Sequence, residues 1–152
     1  MAMTITSPAF TAGGMIPEEF GCLGANISPP LAFANIPAEA KSLALIVDDP
    51  DAPAGTWVHW VAYNMPAGTK ELGKSVPPQK ELPNGMRQGT NDFRRIGYGG
   101  PCPPGGTHRY SFRLYALDVV LNLAAGATKS QLLESMKGHV LAQAELMGKY
   151  RR

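Results

Sequence analysis

Two aspartates on a proline-stiffened loop, two histidines at strand-like positions and one glycine-rich stretch are where this chain concentrates residues fit for chemistry. Asp49-Pro50-Asp51-Ala52-Pro53 holds two carboxylates on a turn whose prolines lower the entropy lost on fixing them. Trp57-Val58-His59-Trp60 follows closely, and Gly97 to Thr107 packs glycines against prolines before His108-Arg109-Tyr110. Glycines let backbone amides approach a ligand, and successive amides form an anion-binding concavity. The stretch lacks the Gly-Lys-Ser/Thr ending of a nucleotide-binding phosphate loop and opens a strand rather than a helix.

The chemistry open to these residues is anion binding. Imidazolium groups at His59 and His108 pair with phosphate oxygens, Tyr110 donates its hydroxyl and loop amides add further bonds. Asp49 alone repels a dianion, so its role is to raise the pKa of a neighbouring imidazole or to accept a hydrogen bond from the ligand. Taken singly, each segment also reads as plain structure: aspartate caps turns, and a lone strand histidine is more often a hydrogen-bonded core residue. Enzymes remain the alternative, either a hydrolase or a metal-dependent enzyme using the same His and Asp groups. No serine is bracketed by glycines in the Gly-x-Ser-x-Gly manner, but Cys22 or Cys102 beside a histidine would make a thiol nucleophile. Two histidines and a carboxylate can hold a metal, yet the chain has no His-x-His or Cys-x-x-Cys pair, and metal binding ranks below anion binding. No catalytic residue, metal ligand or cofactor is assigned.

Strands must position these groups. Ser42–Asp48 is an apolar run ended by Asp-Pro, which suits a buried strand. Val58–Asn64 is aromatic and β-branched, and strict alternation puts His59, Val61 and Tyr63 on one face and Val58, Trp60 and Ala62 on the other. Arg109–Leu117 is a third strand, where alternation groups His108, Tyr110, Phe112 and Leu114 against Arg109, Ser111, Arg113 and Tyr115. Arg109 therefore points away from His108 and is assigned a structural pairing with Asp51. Ile27–Leu31 reads as loop or edge strand because of its two prolines, and Gly68–Gly89 as a long surface excursion. Thr128-Lys129-Ser130-Gln131 fits a capping box for a short helix that Gly138 stops. The pattern of His139–Met147 fits helix and strand alike.

Composition narrows the classes. A length of 152 residues suits one domain spanning 1–152, and the 44% hydrophobic content argues against disorder. Lys+Arg 14 against Asp+Glu 12 is too balanced for a nucleic-acid-binding field. No apolar run approaches the roughly 20 residues of a membrane span. The N-terminus lacks a basic, then apolar, secretory pattern, so the expected location is cytoplasmic. Cys22 and Cys102 are too few for a disulfide framework, and two partly buried thiols are the expectation.

The three segments, in this order and at this spacing, resemble the signatures of the phosphatidylethanolamine-binding protein family. Asn26-Ile27-Ser28-Pro29-Pro30-Leu31, Gly89-Thr90-Asn91-Asp92-Phe93 and Gly138-His139-Val140 are similar to its bacterial and archaeal, Raf-kinase-inhibitor-like branch. The resemblance implies a mainly all-β fold: a sandwich of two antiparallel sheets with a short helix near the C-terminus, in which Val140–Met147 is a strand. It also implies a ligand pocket lined by Asp49, Pro53, Trp57, His59, His108 and Tyr110 and completed by the backbone at Gly99, Gly100 and Pro101. A cis bond before Pro53, a homodimer and a kinase or protease target are further implications.

Overall fold

A computed structural model describes residues 1–152. Four long strands make up most of one five-stranded antiparallel sheet. β3 (Ser42–Asp49) lies between β4 (Trp57–Pro66) and β7 (Thr107–Leu117), and β7 pairs along its length with β8 (Val140–Arg151). The short β6 (Arg87–Gln88) closes the other edge, giving the order β6-β4-β3-β7-β8. A second sheet, β1 (Thr4–Thr6), β2 (Leu31–Ala34) and β5 (Glu71–Leu72), packs against its face in the order β1-β2-β5. The fold is thus mainly β, with two antiparallel sheets and one short helix, α1 (Lys129–Met136).

Every residue of β3 is buried because both faces of its sheet are covered. Leu43, Leu45 and Val47 enter the core between the sheets, with Trp60, Phe112 and Leu114. Ala44 and Ile46 enter a second core on the opposite face, roofed by Leu132 and Met136 of α1. A strand covered on both sides reads as a near-continuous apolar run, as this one does. Pro50, without an amide to donate, follows its last residue. The helix starts where Thr128 accepts from the Gln131 amide and Gln131 returns the bond to Thr128 N–H. Residues 140–151 form a strand because β7 supplies a paired edge over their whole length, a term that sequence periodicity does not contain.

Residues 68–89 carry β5 and β6, and one buried amide ties residues 77–79 to β6 and β4. Gln88 accepts from Trp60 Nε1–H at 2.8 Å and donates from Nε2 to the carbonyls of Pro77 and Gln79. On the helix-covered face, the Asp48 carboxylate takes Lys129 Nζ at 2.7 Å and Arg113 at 3.2 Å. It links α1 and β7 to the end of β3.

Two expectations are overturned. Cys22 and Cys102 form a disulfide rather than two free thiols. The loops carrying them are also joined by two hydrogen bonds: Cys22 N–H donates to Pro101 O, and Gly100 N–H to Asn26 Oδ1. Gly100 permits that approach, because a Cβ there would collide with the Phe20 carbonyl and Asn26. The peptide before Pro53 is trans, as are all the others. The turn is held instead by Asp49 Oδ1 accepting from Asp51 N–H, and by Gly55 at φ +112 donating to Ala52.

The disulfide closes a sequence separation of 80 residues. Reduction, or the double change Cys22→Ser and Cys102→Ser, is expected to lower unfolding free energy by about 2–4 kcal/mol, measured by urea denaturation with and without reductant. Asp48 has a side chain only 1% exposed. Asp48→Ala leaves Lys129 without its partner, while Arg113 keeps Glu145 at 3.6 Å, and is expected to cost about 3 kcal/mol by the same measurement.

Candidate ligand pocket

The pocket lies at the end of the sandwich where β3, β4 and β7 deliver their last or first residues. It has a volume of about 200 Å³, and Asp49, Pro53, Trp57, His59, His108 and Tyr110 all line it, joined by Ala52, Phe93, Cys102, Pro103 and Pro104. Asp49 comes from the end of β3, Trp57 and His59 from the start of β4, and His108 and Tyr110 from the start of β7.

His59 reaches the pocket by breaking strict alternation. Val47 pairs with Trp60, but the next residue, Asp48, pairs with Val58, so His59 is an extra residue in β4 with no partner across on β3. Such a bulge turns the bulged strand and re-aims a side chain. Val58 is thereby moved into the helix-side core with Val61 and Tyr63, while Trp60 stays in the core between the sheets. His59 leaves the face of Val61 and Tyr63 to which alternation assigns it and packs edge-on against Tyr110, with ring centroids 5.2 Å apart. On β7, which has no bulge there, His108, Tyr110, Phe112 and Leu114 share one face, and Tyr110, Phe112 and Leu114 are in the core between the sheets.

Each polar group has a defined state. His108 Nδ1 donates to Asp49 Oδ2 at 2.7 Å, and the other Asp49 oxygen accepts from Asp51 N–H, so the carboxylate is spent on orienting His108 and its own turn. His59 Nδ1 lies 2.6 Å from the Gly99 carbonyl, which can only accept, so Nδ1 carries the proton. Burial outweighs that bond and holds the His59 pKa below its ordinary 6.5, leaving a neutral ring with a lone pair on Nε2. The Tyr110 residue is 1% exposed, and its hydroxyl lies near the Asp49 carboxylate without an aligned hydrogen bond. Burial, then the Asp49 charge, raise its pKa, so it stays protonated and able to donate.

Arg109 lies outside the pocket lining. Its guanidinium forks onto Asp51, with Nε to Oδ2 at 2.9 Å and Nη2 to Oδ1 at 2.8 Å, and this pairing holds the Asp51 pKa at about 2. Gly99 and Gly100 line a neighbouring cavity rather than this one. Their amides are occupied, Gly99 donating to His59 O and Gly100 to Asn26, and Pro101 has none, so these residues position His59 and the docked loop. The thiol-nucleophile reading falls with the disulfide, and the Ser111 hydroxyl is bonded to Glu145. Phe93 and Cys102 were not singled out as pocket residues. The signal for Phe93 was the Asn91-Asp92 pair before it: Asn91 Oδ1 accepts from the Phe93 and Arg95 amides, and Asp92 clips Val58 N–H. The Phe93 ring is thus held edge-on to Trp57 and His59.

The family model described as phosphatidylethanolamine-binding protein matches residues 6–151. The chain belongs to the phosphatidylethanolamine-binding protein family. Among its relatives, a UPF0098 protein of Methanothermobacter thermautotrophicus is 55% identical, with 99% of each chain covered. A UPF0098 protein of Chlamydia muridarum is 51% identical over 97% of this chain and 98% of the relative. The crystal structure of the phosphatidylethanolamine-binding protein homologue CT736 of Chlamydia trachomatis superposes with a TM-score of 0.92 at 48% identity, covering 99% of this chain and 98% of that one. Escherichia coli YbcL, described as a member of the mammalian family, superposes at 0.89 and 32% identity, covering 100% and 99%. These likenesses place the chain in the bacterial and archaeal branch. No helix is long and apolar enough to cross a membrane.

The depressed His59 pKa makes stability depend on pH. Above 6.5 neither state holds the proton, whereas below it the unfolded chain takes one up and the folded chain does not. Stability is therefore expected to fall as pH drops from 6.5 toward the lowered folded value. His59→Gln should flatten that part of a profile of urea midpoints taken from pH 8 to pH 5.

Proposed function

We propose that this chain is a binding protein for a small anion, and that its pocket takes the phosphoryl or carboxyl end of a small molecule. The observation that carries the reading is the Tyr110 hydroxyl: a buried donor near the Asp49 carboxylate but without an aligned hydrogen bond to the protein, set among His59, His108 and Asp49. A buried polar group left unpaired costs about 1–3 kcal/mol, which a ligand acceptor recovers. The Asp49–His108 pair orients an imidazole whose other nitrogen is left for the ligand. With Gly99 and Gly100 amides already spent, the groups that hold the anion are side chains.

Neutral His59 adds a preference. Its Nε2 is an acceptor, so at neutral pH it favours a ligand oxygen that carries a proton, as a phosphate monoester monoanion does. A fully deprotonated anion requires His59 to take up a proton, which burial opposes. Sulfate, whose charge is constant in this range, is therefore expected to bind more tightly as pH falls from 8 to 5.5 in calorimetric titration. Affinity independent of pH in that series, or no binding at all, overturns the reading.

Tyr110→Phe separates a ligand role from a packing role. It is expected to weaken phosphoethanolamine or inorganic phosphate about tenfold while leaving the unliganded protein as stable or more so, because an unpaired hydroxyl is removed. Unchanged affinity with lowered stability would show that the hydroxyl serves the fold.

A further inference from the structure

Phe93 and Cys102 are walls of two cavities. Beyond them lies a second space of about 170 Å³, lined also by Asn26, Arg95, Tyr98 and Gly99. The two spaces lie side by side, since Phe93 and Cys102 line both.

Their chemistry differs. The first contains Asp49 and two histidines but neither lysine nor arginine. The second contains no carboxylate and has Arg95 on its wall. Arg95 makes no ion pair and no side-chain hydrogen bond with the rest of the chain, so a permanently charged fork of five N–H donors is free. Asn26 commits Oδ1 to the Gly100 amide and keeps its amide hydrogens uncommitted. The Tyr98 hydroxyl already donates to Phe20 O at 2.6 Å. The free polar side chains of this compartment are thus donors, and what complements them is an acceptor with negative charge.

The backbone at Arg95 is fixed as firmly as that of Phe93, since both amides donate to Asn91 Oδ1, and Asn91 Nδ2 donates to Gly97 O. One loop therefore carries both the Phe93 ring and the solvent-exposed Arg95 on a fixed backbone. The geometry points to a bipartite site: the ligand is a phosphorylated small molecule whose chain carries a second anionic group, its phosphate on Tyr110, His108 and His59 and its second anion on Arg95. This rests on the anion-binding reading of the first pocket. A lone inorganic anion fills one compartment only.

A matched pair of probes tests the second compartment: 6-phosphogluconate, with a phosphate and a terminal carboxylate, and sorbitol 6-phosphate, in which a hydroxymethyl group replaces that carboxylate. In calorimetric titration of the full chain, 6-phosphogluconate is expected to bind at least about tenfold more tightly, the worth of a charge-assisted hydrogen bond. Arg95→Gln should abolish that preference and leave sorbitol 6-phosphate unchanged, and Tyr110→Phe should weaken both probes alike. Equal affinities for the natural chain, or a preference that survives Arg95→Gln, overturn the bipartite site while leaving the first pocket standing. Failure of both probes to bind overturns the first pocket as well.

Discussion

Consecutive side chains of a strand point to opposite faces, and at the end of β3 this rule acts on two adjacent carboxylates. Asp48 is turned toward the helix-covered face, where Lys129 and Arg113 neutralise it, and Asp49 is turned toward the pocket, where His108 and the Asp51 amide engage it. Both residues are buried, so neither side chain is fully solvated by water. A carboxylate there must therefore be met by fixed partners from other elements, and those partners define the rest of the molecule. The Asp48 partners bring in α1 and β7. The Asp49 partner brings the first turns of β7 against the end of β3.

With Asp49 committed in this way, the pocket's capacity for a ligand falls to groups that the fold leaves incomplete. His108 keeps one nitrogen, neutral His59 keeps a lone pair, and Tyr110 keeps a proton. Three aromatic neighbours limit how these move: Tyr110 and Phe93 pack edge-on to His59, and Trp57 packs on Phe93. The site is preorganised by packing and by hydrogen bonds to backbone, so little ordering is left for the moment of binding.

The glycine-rich segment before His108 acts through shape. Gly99 and Gly100 lack side chains because Phe93, Phe20 and Asn26 occupy the space a Cβ would take. The close fit lets residues 97–102 lie against the loop at residues 20–26, and it brings Cys102 to Cys22 and the Gly99 carbonyl to His59. This docking therefore sets a crosslink, a histidine tautomer and lining that two cavities share.

The sequence by itself determined the central strands, the capped helix and the order of the three segments, because apolar runs, prolines and capping residues act over a few neighbours. It also placed His108 and Tyr110 on one face, since β7 keeps its alternation there. Other features were decided only by the tertiary structure. His59 changed faces through a bulge created by how β4 registers on β3, and alternation within one strand carries no record of its partner's register. Residues 140–151 became a strand because β7 offers them an edge, although their own pattern suits two structures. The disulfide depends on two loops 80 residues apart meeting through backbone bonds that no local pattern encodes. What tertiary structure adds in each case is a partner distant in sequence, and at this pocket it is those partners that choose the face, the tautomer and the charge.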